Sequence, residues 1–71
     1  MESLSYYKGY SEEIVVGGSY YFGQLWDGNG EGEELLESGS ISPDGENVVD
    51  FVIVEMSEDI MDTLVRVTGI Y

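Results

Sequence analysis

The chain has no cysteine, no histidine, a single proline and only two basic side chains, Lys8 and Arg66. Each shortage removes a class of function. Without cysteine there is no disulfide framework and no thiolate metal site; without histidine the commonest general base and metal ligand is missing. Two cations against a large excess of acids give the wrong sign for phosphate contacts, so direct binding to DNA or RNA is not expected. Aliphatic runs stop at three residues, as in Val52-Ile53-Val54, far short of the ~20 of a membrane span. The opening Met1-Glu2-Ser3-Leu4 lacks the basic start and apolar middle of a secretion signal. A cytoplasmic location without membrane contact is the expectation.

What the chain does have is carboxylate. Fifteen acids and two bases give a formal net charge of −13 over 71 residues. Between Lys8 and Arg66 there is no base, and 14 of the acids lie in that span. Apolar residues make up 42% and aromatics 13%, more than a disordered acidic segment carries. Residues 1–71 are therefore predicted to be one small folded domain, burying ~60% of its unfolded surface. Solubility asks for a net charge of only ~2–8 in a small domain, so the excess opposes folding by self-repulsion and asks for another explanation.

Short runs rich in Val, Ile, Tyr and Phe alternate with Gly and Pro-Asp-Gly breaks, the punctuation of a β protein. Strands are expected over 4–10, 12–16, 19–26, 47–56 and 63–71. The segment 33–41 is ambiguous between strand and helix. In the last strand, alternation puts Val65, Val67 and Tyr71 on one face and Leu64, Arg66, Thr68 and Ile70 on the other. Apolar residues at successive positions of 48–56 predict a strand buried on both faces. Asp27-Gly28-Asn29-Gly30 and Ser42-Pro43-Asp44-Gly45-Glu46 have turn chemistry. Ser57 to Asp62 predicts one short helical turn, with Ser57 as its N-cap. The expected fold is mostly β: a small antiparallel barrel of five to six strands with that turn near 57–62. The closing order, strand, short turn, strand, resembles the layout of SH3-type barrels, although the acidic loop and paired tryptophans of peptide-binding SH3 domains are absent. The competing architecture is α+β, with 31–38 helical.

Several constellations could carry chemistry. Asp27-Gly28-Asn29-Gly30-Glu31-Gly32 resembles the start of an EF-hand loop, which raises a calcium-binding alternative for 27–38. The twelfth position, however, is Ser38 where a bidentate carboxylate is required, and no metal or other cofactor is expected. Carboxylate pairs are abundant, but so short a chain rarely walls the pocket that tunes one for acid–base catalysis, and the glycine-rich stretches lack a phosphate-binding lysine. An enzyme is not expected.

The densest negative stretch runs from Asp27 to Asp50, with eight acids and no base. Alternate residues on a strand lie ~6.6–6.8 Å apart, about two steps of the ~3.4 Å charge spacing along one strand of duplex DNA. If extended, Glu31 with Glu33, Asp44 with Glu46, and Glu37 beside Glu33 or Glu34 would display such a row. Candidate partner-binding residues are therefore Asp27, Glu31, Glu33, Glu34, Glu37, Asp44, Glu46 and Asp50, with Tyr21 and Trp26 as aromatic anchors. In size and charge the chain resembles phage-encoded nucleic-acid mimics that inhibit CRISPR or restriction machinery. The resemblance implies a non-enzymatic inhibitor acting in a host cytoplasm, as monomer or homodimer, against a basic nucleic-acid-binding protein or complex. The alternative is a structural or assembly subunit that self-associates through an edge strand, with 63–71 the candidate edge.

Overall fold

The structure is a computed structural model that describes residues 2–5, 13–26 and 31–71. Asp27-Gly28-Asn29-Gly30 lies outside the described residues, as does 6–12. Among the described residues there are six strands: β1 (Ser3–Ser5), β2 (Glu13–Val15), β3 (Ser19–Tyr21), β4 (Ser40–Ile41), β5 (Val49–Glu55) and β6 (Leu64–Ile70). Two short helices, α1 (Phe22–Leu25) and α2 (Gly32–Ser38), and a 3₁₀ turn at Ile60–Asp62 complete the order.

All pairings are antiparallel. β1 and β2 form a two-stranded sheet, and the other four strands form a sheet in the order β3-β6-β5-β4. Among the described residues the strands do not close into the expected barrel. The reason is local. The predicted 19–26 strand gives half its length to α1, and the ambiguous 33–41 segment gives most of its length to α2, which leaves β3 three residues and β4 two. The α+β competitor was right about 31–38, while α1 replaces the second half of the predicted 19–26 strand. Gln24 fixes that switch: its Oε1 accepts a hydrogen bond from the Tyr21 N–H at 2.9 Å, the back half of a capping box. The single turn then buries Phe22 and Leu25, three residues apart, on one face.

The core lies between the inner face of the larger sheet and the elements laid across it. Leu4 and Ile14 enter from the hairpin, Phe22 and Leu25 from α1, Leu36 from α2, and Ile41, Val49, Phe51, Val65, Val67 and Ile70 from the sheet. Phe22 stacks on Trp26 (5.5 Å between centroids) and tilts against Phe51 (6.0 Å). Tyr20 ties the hairpin to the sheet: its hydroxyl accepts from the Val15 N–H at 2.8 Å and lies 3.3 Å from the Glu13 carbonyl.

Three expectations about strands are corrected. β6 is not an edge, because β3 and β5 flank it, so the self-association alternative loses the edge on which it was built. The face assignment of its last residues is reversed: Ile70 is buried and Tyr71 is 70% exposed. A bulge explains this, since Asp50 pairs with Gly69 while Phe51 pairs with Val67, leaving Thr68 as an extra residue that shifts the alternation. Finally, β5 is not buried on both faces, for Val52, Ile53 and Val54 are 52%, 40% and 48% exposed. The predicted turn near 57–62 is present, but its cap is Asp59, whose carboxylate accepts from the Met61 N–H at 3.0 Å. Ser57 instead donates its N–H to the buried Thr63 Oγ1 at 3.2 Å.

Candidate partner-binding surface

Helix α2 carries three of the candidate acids outright. Leu36 is buried and Leu35 half-buried, so packing of this one stripe holds a helix too short to persist alone. Glu33, Glu34 and Glu37 consequently face solvent, and Glu31 precedes the helix as its exposed N-cap residue. The helix ends at Gly39, whose φ of +72° is the left-handed cap geometry that glycine adopts without strain. This arrangement overturns the extended row expected for Glu31, Glu33 and Glu37. Helical rise is ~1.5 Å per residue, so Glu33 and Glu37 share a face through i,i+4 spacing and Glu31 stands apart.

Asp44 and Glu46 likewise sit on a turn, not a strand. Asp44 Oδ1 accepts from the backbone N–H groups of Glu46 (2.9 Å) and Asn47 (2.8 Å). Those two bonds hold its carboxyl below the usual value of 3.8. Gly45 supplies the positive φ of +78° that closes the turn. Glu46 is exposed and Asp44 half-buried.

The turn and α2 border one cleft of about 450 Å³, lined by Leu25, Trp26, Leu35, Ser40, Ile41, Ser42, Pro43, Asp44, Gly45 and Val48. Trp26 and Asp44, two of the predicted binding residues, thus line the same depression. An aromatic side chain and a carboxylate lining one opening suit a guanidinium or ammonium group, which a ring attracts through its quadrupole and a carboxylate through charge. The other candidates divide. Tyr21 is 54% exposed but lies on the outer face of the sheet, since its neighbours Tyr20 and Phe22 are buried. Asp50 also points to that face, between the inward Val49 and Phe51. Neither joins the cleft. Asp27 lies outside the described residues.

Sequence reasoning missed two features. Gly32 is buried at the start of α2, and a Cβ there would stand 2.5 Å from the Trp26 ring and 2.8 Å from Ile60 Cδ1; a glycine opening a helix directly after an aromatic–turn segment was the available signal. The exposed acids Glu58, Asp59 and Asp62 belong to the 57–62 segment, which α2 contacts through the 3₁₀ turn. Their distance in sequence from 27–50 concealed that proximity.

The calcium-loop alternative loses its second half. Residues 32–38 are helical, and the Ser38 hydroxyl lies 2.7 Å from the Leu35 carbonyl, to which it donates. No group of three or more acidic residues among the described residues is arranged to hold a metal ion. No helix among them is long and apolar enough to cross a membrane. Comparison with protein-family models, curated proteins and solved structures finds no match to the chain.

Proposed function

We propose that this is a non-enzymatic acidic binding protein that occupies the nucleic-acid-binding surface of a basic partner in the cytoplasm. Inhibitors of CRISPR or restriction machinery are the class whose targets have that chemistry. The observation that carries the reading is the exposure of Glu33, Glu34 and Glu37 on α2, whose Leu35 lines the same cleft as Asp44, in a chain with only two cations to set against fifteen acids. Folding does not call for this arrangement. Glu33 and Glu34 suit the positive end of a helix, but Glu37 stands at the negative end and repels Glu33 one turn away.

The mechanism is occlusion. Long-range attraction speeds encounter with a positive groove. Carboxylate–arginine pairs on α2 and the turn then fix the register, and a cationic side chain entering the cleft meets Trp26 and Asp44. Binding excludes nucleic acid because both ligands use the same cations.

The test is competition for bound DNA or RNA across a panel of restriction and CRISPR effectors. Displacement from at least one, weakening steeply between about 50 and about 200 mM salt, is expected. Failure to displace nucleic acid from any member at low salt overturns the reading.

A further inference from the structure

β5 is paired on one side for its whole length and on the other for only part of it. Toward β4, Ile41 pairs with Val49 and Ser40 with Asp50, and the Phe51 N–H donates to the Gly39 carbonyl at 2.8 Å. Antiparallel alternation sends the main-chain groups of every second residue to the same side, so Ile53 follows Val49 and Phe51 in facing that edge. Chain reversal at Gly39 ends β4 before it reaches Ile53, and among the described residues no strand pairs there. The same stretch exposes its side chains: Val52, Ile53 and Val54 are followed by Met56, 59% exposed. Natural sheets usually guard such an edge with lysine, proline or a covering loop. Here the guard among the described residues is a bulge between Ile53 and Glu55.

We propose that the β5 edge at Val52–Glu55 accepts an added strand from a cationic partner, an extended segment alternating apolar residues with lysine or arginine. Strand addition supplies main-chain hydrogen bonds, and the aliphatic side chains supply burial. Charge selects the occupant. Asp50 and Glu55 flank the edge, Glu58 and Asp59 follow it, and Arg66, the only basic residue described, meets Val52 from the β6 side. A second copy brings −13 against −13. In self-pairing centred on Ile53 it also sets Glu55 opposite Phe51 and Asp50 opposite Met56, with no cation to answer either acid. The partner's charge rests on the function proposed above; the open edge does not.

The experiment is amide hydrogen exchange followed by NMR on the full chain, with three synthetic peptides as probes: alternating Val-Lys, alternating Val-Glu, and oligolysine. The Val-Lys peptide slows exchange of the Ile53 amide about tenfold or more, Val-Glu does not, and Val54→Lys abolishes the effect. Val54→Thr, which keeps the β-branched shape, retains most of the protection and guards against misreading an unfolded variant. Val-Lys binding without protection of Ile53, no Val-Lys binding at all, or equal protection by Val-Glu overturns the proposal. So does protection that rises with protein concentration in the absence of peptide, which identifies a second copy as the occupant. Oligolysine separates the two claims. If it fails to perturb Glu33–Glu37 while Val-Lys still protects Ile53, the acidic-surface reading fails and the edge stands.

Discussion

Two single residues, Asp44 and Gly32, shape the cleft and its border. Asp44 is held ionised by two backbone N–H groups, which places its folded pKa below the ordinary 3.8. A depressed carboxyl stabilises the fold above its unfolded value and loses that contribution as pH falls through the folded one. Asp44→Asn should therefore be less stable than wild type near neutral pH, with the gap closing as pH falls below 3.8; urea midpoints across that range measure it, and a constant gap would contradict the assignment. Gly32 is the second. Alanine improves intrinsic helix propensity by ~1 kcal/mol, yet its Cβ would press to within 2.5 Å of the indole ring. Gly32→Ala is expected to displace Trp26 from its stack on Phe22 and shift tryptophan emission to the red. Unchanged emission with raised stability would show that the indole yields at no cost.

Helix α2 is where the claims about folding and binding part company. Glu37→Lys replaces an unfavourable charge at the helix C-terminus by a favourable one and turns the Glu33 repulsion into an i,i+4 attraction. A gain of about 0.5–1 kcal/mol follows, together with weaker binding to a basic partner. Thermal melts and competition assays on one variant check both halves, and a stabilised variant of full potency would remove α2 from the contact. What the sequence disclosed depended on how locally each element is determined. The 42–46 turn was legible because Pro43, Asp44 and Gly45 impose their own geometry. The turn at 60–62 was legible as an element, but its cap was misplaced by two residues, since Ser and Asp both suit that position. α1 was hidden because Tyr20-Tyr21-Phe22 has β propensity, and the Gln24 capping bond together with burial of Phe22 and Leu25 selects the helical turn. The reversal of Ile70 and Tyr71 depended on the bulge at Thr68, for which Gly69 was the only local sign. The exposure of Val52–Val54 was invisible in sequence, because it follows from β4 starting only at Ser40, where α2 has just ended. The acids were recognisable as a group, but their geometry was not: the DNA-like spacing assumed strands, and packing of Leu36 made a helix.

At the scale of the molecule, a net charge of −13 is held on a body with principal extents of 30 × 22 × 20 Å. At low ionic strength the screening length is ~30 Å, comparable to the whole protein, and near 0.15 M it is ~8 Å. Mutual repulsion should consequently fall as salt is added. The melting midpoint is expected to rise between these conditions, by about 4–8 °C for each kcal/mol relieved in a domain of this size. A flat response would mean that the carboxylates hardly sense one another. The same charge that weakens the fold gives the protein its reach toward a positive partner. The central claim is that the acids of α2 compete with nucleic acid for a partner's cations. Its most direct measurement is displacement of bound nucleic acid from a basic effector by wild type and by the triple variant Glu33→Lys, Glu34→Lys, Glu37→Lys at one fixed salt concentration, with the variant's fold verified beforehand. Wild type is expected to displace the nucleic acid and the variant to lose about tenfold or more in potency; equal potency of the two proteins would show that the α2 acids do not engage the partner's cations.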